Sequence, residues 1–107
     1  MDPERVQFLQ QALEANPGDT FARYGLALEL SRSGRPDQAL EHFEYLLAHH
    51  PEYSATYYQA GMFMIERGRR TDARRILEKG IEVAHNQGAF HAEKELRAAL
   101  EEVASED

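Results

Sequence analysis

The chain is 107 residues long and carries 19 acidic side chains against 12 Lys plus Arg, giving a net charge of -7, with no cysteine and no tryptophan. That is one domain's worth of chain; it buries roughly two-thirds of its unfolded surface, enough for a modest core but not for a large multi-site enzyme. The lack of cysteine excludes disulfide frameworks, thiolate zinc sites and cysteine nucleophiles, and the 42% hydrophobic and 29% charged content fits a folded soluble domain rather than a disordered, collagen-like or membrane chain.

The opening Met1-Asp2-Pro3-Glu4-Arg5 has no apolar run of the export-signal kind, and the longest apolar stretch, Met62-Phe63-Met64-Ile65, is far short of the roughly 20 residues that span a bilayer. A cytoplasmic location and no membrane partner are expected. The acidic balance also disfavours nucleic acid.

The first element is a helix over 3–15, with Asp2 as N-cap and Pro3 at the first helical position. Helices over 19–33, 36–49, 53–67 and 71–84 follow, separated by Gly turns or by short Pro and polar breaks, and a helix over 89–103 closes the chain. Its apolar stripe is Ala92, Leu96, Ala99, Leu100 and Val103, and Glu93, Lys94, Glu95, Arg97, Glu101 and Glu102 are assigned to water. No segment alternates as a strand would.

A period runs through these helices. Pro17 recurs as Pro51, Gly34 as Gly68 and Ala39 as Ala73, each 34 residues on. Residues 20–51 place Arg23, Leu26-Ala27 and Leu30 before the Gly34 turn and Ala39, Phe43 and Pro51 after it; residues 54–85 place Tyr57, Ala60-Gly61 and Met64 before Gly68, then Ala73, Leu77 and His85. This pattern resembles the tetratricopeptide repeat, in particular a small stand-alone domain of bacterial type. Arg23, in place of an aromatic residue, and His85, in place of the final proline, are the departures. The resemblance implies an all-α, right-handed α-solenoid of antiparallel helix pairs, about six helices in all. Its expected parts are an N-terminal half-repeat helix (1–17), repeats at 18–51 and 52–85, a capping helix (86–104) and a frayed tail (105–107).

The resemblance further implies that the first helices of successive repeats line a concave face that binds peptides or helices of partner proteins. The matching positions are Phe21, Tyr24, Gly25, Leu28 and Arg32, then Ala55, Tyr58, Gln59, Met62 and Glu66. Relatives that grip acidic chaperone tails use Lys and Asn where this chain has Tyr24, Leu28, Tyr58 and Met62. An apolar peptide or amphipathic helix is therefore the expected ligand, bound by Phe21, Tyr24, Leu28, Arg32, Tyr58, Gln59 and Met62 in a non-catalytic scaffold.

Three other features have a bearing on function. Arg67, Arg69, Arg70, Arg74 and Arg75 lie within nine residues and form a candidate patch for an acidic or phosphate-bearing partner, against the alternative of pairing with Glu66, Asp72 and Glu78. The N-terminal helix lacks its repeat partner, so Val6, Phe8, Leu9 and Leu13 are candidate contacts of a homodimer. His49 and His50 suit a helix C-terminus, Glu82-x-x-His85 is a single half-motif, and His42 and His91 stand on helices without convergent carboxylates, so no metal, no cofactor and no catalytic set is expected.

Overall fold

The computed structural model describes residues 3–105, which form six α-helices and, among the described residues, no strand. They are α1 (Pro3–Ala15), α2 (Thr20–Arg32), α3 (Pro36–His49), α4 (Ala55–Glu66), α5 (Arg70–Asn86) and α6 (Phe90–Ser105). The expected N-cap Asp2 lies outside the described residues, as do Glu106 and Asp107. Ser105, expected to fray, still belongs to α6.

Local chemistry sets the helix ends. Asp19 caps α2 by accepting the Ala22 N–H at 3.0 Å, and the Asn16 side chain accepts the Gly18 N–H at 3.1 Å in the preceding turn. Three helices stop at glycines in the left-handed region: Gly34 (φ 77°), Gly68 (φ 75°) and Gly88 (φ 70°). The residue after each glycine donates its N–H back to a carbonyl five residues earlier, Arg35 to Leu30 at 3.0 Å, Arg69 to Met64 at 2.9 Å and Ala89 to Ala84 at 2.9 Å. Only glycine adopts this turn without strain, and the backbone bonds satisfy carbonyls the helix end would leave open. Because His85 replaces the terminal proline, nothing stops α5 there; it runs on to Asn86, which shifts the following Gly88 turn and α6 out of the 34-residue register.

The chain divides into two compact units, residues 1–53 and 54–107. In the first, α2 packs against both α1 and α3. Val6 and Leu9 supply the inward face of α1, and Leu9 methyl carbons come within 3.5 Å of where a Cβ on Gly25 would stand. Leu26, Ala27 and Leu30 of α2 and Ala39, Phe43 and Leu46 of α3 are buried. Arg5 of α1 adds a 2.9 Å ion pair to Glu29 of α2.

In the second unit α5 packs between α4 and α6, which also touch each other. The closest approaches occur at two glycines. A Cβ on Gly61 would lie 2.5 Å from Leu77 Cδ2, and one on Gly80 would lie 2.5 Å from Tyr57 Cβ and 3.2 Å from Leu96 Cδ2. Leu96, Ala99 and Val103 are buried on α6 as the stripe requires, with Ala92 and Leu100 half-buried. Glu93 departs from the expected solvent-facing set. It is half-buried and accepts hydrogen bonds from Arg97 (2.8 Å) and from His85 of α5 (3.1 Å). These donors, Arg97 foremost, hold its carboxyl below the usual carboxylate range.

The glycine contacts differ in kind, and substitution should separate them. Gly61→Ala presses on the branched end of Leu77, Cγ at 2.8 Å and Cδ2 at 2.5 Å, which a change of side-chain torsion shifts, whereas Gly80→Ala presses on Tyr57 at its stem, Cβ at 2.5 Å, which moves only with the backbone. Gly80→Ala should therefore lower the urea midpoint by the equivalent of about 1–3 kcal/mol and Gly61→Ala by less, despite the helix-propensity gain of about 1 kcal/mol shared by both. Equal midpoints for the two variants would contradict this packing. Thr56 gives the opposite test. It is fully buried, and its hydroxyl has no hydrogen-bond partner among the described residues. Thr56→Val, which keeps the shape and removes the unsatisfied group, should raise the urea midpoint by the equivalent of about 1 kcal/mol.

Candidate protein-binding surfaces

The residues expected to bind a partner fall on one stripe of α2 and one stripe of α4. On α2, Phe21 is 69% exposed, Tyr24 and Leu28 are half-buried, and Arg32 is exposed with its guanidinium 3.7 Å from Glu29. Gly25, on the same stripe, faces Leu9. Tyr24 is oriented by an edge-to-face contact with Tyr53, ring centroids 5.6 Å apart at 70°. Tyr53 was not legible as a site residue, since it stands in the connecting segment outside the repeat positions. On α4, Tyr58, Gln59 and Met62 are half-buried, while Ala55 and Glu66 are exposed. Apart from Gly25, none of these residues is buried. Each therefore retains surface for an incoming ligand.

The arginine cluster is partly consumed by the fold. Arg69 pairs with Asp72 at 2.9 Å, Arg70 donates to the Val103 carbonyl near the end of α6, and Arg67 lies 5.9 Å from the Phe63 ring centroid. Arg74 is half-buried and has an interaction of its own, and Arg75 is exposed. Arg70 thus ties α6 to α5, satisfying a carbonyl that a helix end leaves open.

The four residues considered for self-pairing separate on α1. Val6 and Leu9, each 5% exposed, are inward-facing, so the packing of α1 on α2 suffices to shield them; Leu13 is half-buried and Phe8 is 68% exposed. Phe8 is therefore the main exposed apolar side chain of that set.

The departure at Arg23 is resolved by its neighbours. The guanidinium lies 3.7 Å over the Tyr45 ring, donates through Nη2 to the Pro17 carbonyl at 3.1 Å, and places Nη1 3.2 Å from His42 Nδ1. A stacked, hydrogen-bonded cation fills the place that Tyr57 fills in the next repeat. Sequence reading missed this set because its members, Pro17, Arg23, His42 and Tyr45, come from a turn and two helices. His49 stacks on Tyr45 at 4.3 Å, and His50 forms the C-cap of α3, with Nδ1 3.8 Å from Glu52. No group of three or more metal-ligating side chains occurs among the described residues, and no helix is long and apolar enough to cross a membrane.

Hairpins of paired helices with glycine turns and small residues at the crossings define a helical-repeat interaction fold. A tetratricopeptide repeat family profile matches residues 30–100, and the chain belongs to that family. It is 27% identical over 95 residues to a TPR repeat-containing protein of Pseudomonas aeruginosa, covering 89% of this chain and 90% of the relative. The solution structure of a tetratricopeptide repeat domain protein from Salinibacter ruber superposes with a TM-score of 0.82 at 34% identity, over 86% of this chain and 93% of that one. The Sgt2 TPR domain from Aspergillus fumigatus superposes with a TM-score of 0.80 at 25% identity, over 94% of this chain and 64% of its own. Family membership makes this a protein-interaction module in general character.

The arginines can be sorted by stability. Arg70→Gln should cost about 1 kcal/mol by removing the donor to Val103, whereas Arg75→Gln should stay within about 0.5 kcal/mol of the parent. Chemical denaturation of the two variants checks this, and equal losses would show that the cluster acts as a unit.

Proposed function

We propose that this chain is a non-catalytic scaffold that docks an apolar peptide or an amphipathic helix on the exposed stripe of α2, and that the stripe of α4 is a second surface of the same kind. The observation that carries the reading is Phe21, 69% exposed on the same helical stripe as half-buried Tyr24 and Leu28. An aromatic side chain in water beside a tyrosine held in place by Tyr53 is a preorganised apolar anchor. Arg32 supplies a polar contact beside the α2 stripe, and on α4 Tyr58 and Met62 carry the same chemistry with Gln59 as their polar neighbour. The aliphatic and aromatic character of these positions disfavours an acidic tail as ligand.

Two synthetic probes test this: an amphipathic helical peptide with Leu at i, i+3, i+4 and i+7, and an acidic C-terminal peptide of equal length. The amphipathic peptide should bind and shift the amide resonances of α2 and α4. The double variant Phe21→Ser, Tyr24→Ala should weaken it at least about tenfold, equivalent to about 1.4 kcal/mol, with far-UV circular dichroism unchanged. Preferential binding of the acidic peptide, or full affinity of the folded double variant, would refute the assignment.

A further inference from the structure

We propose that Arg23 and His42 form a proton-gated latch, which ties the turn between α1 and α2 to α3 and lets go when the His42 imidazole becomes a cation. The geometry demands a neutral ring. A guanidinium carries donors and no acceptor, so a contact of 3.2 Å between Arg23 Nη1 and His42 Nδ1 is a hydrogen bond only if Nδ1 holds a lone pair and the ring proton is on Nε2. A proton at Nδ1 would set N–H against N–H and place one cation beside another.

The same arginine holds the turn. Its Nη2 donates to the Pro17 carbonyl at 3.1 Å, and its plane is pinned over Tyr45 of α3 at 3.7 Å. Losing the His42 contact therefore frees a group that also secures Pro17. Among the described residues α1 packs on α2 and not on α3, so Arg23 links the turn that follows α1 to the third helix.

The other groups facing His42 are accounted for. Gln10 and Glu14 of α1 line the same open cleft of about 450 Å³, and Glu41 neighbours His42 on α3. Glu41 favours the cation. Burial of the ring, and next the Arg23 charge, outweigh it and hold the imidazole below the usual histidine value of about 6.5. The closed latch thus binds fewer protons than the open one. Its closure is fully favoured above about pH 6.5 and weakens as pH falls through the lowered folded-state value.

The test combines histidine ring titration by NMR with amide hydrogen exchange between pH 5 and 8, corrected for the intrinsic pH dependence of exchange. His42 should titrate below 6.5 in the parent chain and move up toward 6.5 in Arg23→Met. Opening of the amides at 18–20 should become roughly three- to tenfold more frequent from pH 7.5 to pH 5. His42→Gln keeps a neutral acceptor at every pH and should remove most of that response. A His42 titration at or above 6.5, or the same acid response in His42→Gln, would overturn the latch. If His42→Gln does not fold, the Arg23→Met titration decides: an unmoved His42 value overturns it and an upward move supports it.

Discussion

The close crossing of neighbouring helices at positions with little or no side chain is the constraint on which the rest of the structure depends. In the second unit Leu77 lies over Gly61, and Tyr57 and Leu96 close on Gly80, at distances that leave no space for a Cβ. Such approach lets one layer of side chains serve two helices, so Ala60, Ala73, Leu77 and Ala84 are fully buried in a unit of only three helices. A small domain has little surface to spare, and interlock of this kind is how it removes apolar area from water without a deep core. The left-handed glycines that end α2, α4 and α5 are part of the same device, since they reverse the chain within a few residues and bring consecutive helices side by side.

Departures from the repeat pattern are absorbed by chemistry. Where the second repeat has Tyr57, the first has Arg23, and an arginine at a half-buried position needs partners for its donors. It finds them in the Pro17 carbonyl, His42 and the face of Tyr45. Likewise His85, freed from the role of a helix-ending proline, lies on a helix that continues past it, where its Nδ1 meets Glu93 of α6. Each departure has brought ionisable groups of two helices into contact.

Surface chemistry divides by helix. The α2 and α4 stripes keep aromatic and aliphatic surface, the α4–α5 turn holds the arginines, and α6 turns most of its charged residues outward together with Phe90, while Leu96, Ala99 and Val103 are buried. Apolar and aromatic side chains left in part on the surface of a helix are suited to contact with other proteins. Membership of an interaction family agrees with that division.

The sequence by itself determined the helices and their order. The 34-residue recurrence of Pro17, Gly34 and Ala39, with apolar residues at helical spacing between them, placed six helices close to their observed limits, because turn glycines and apolar periodicity are local signals. Of the recurring residues, Gly61 meets Leu77 closely and Ala27, Ala39, Ala73 and Phe43 are buried. The tertiary structure alone decided which half of a candidate set is free. Val6 and Leu9 are inward-facing while Phe8 is exposed, Glu93 is half-buried between Arg97 and His85, and Arg70 is engaged with the Val103 carbonyl. Helical spacing already sets Phe8 apart from Val6 and Leu9, whereas nothing in composition or spacing distinguishes Glu93 or Arg70 from their charged neighbours. Their state depends on which side chain of another helix arrives opposite them, and that is set by packing between segments distant in the chain rather than by local propensity.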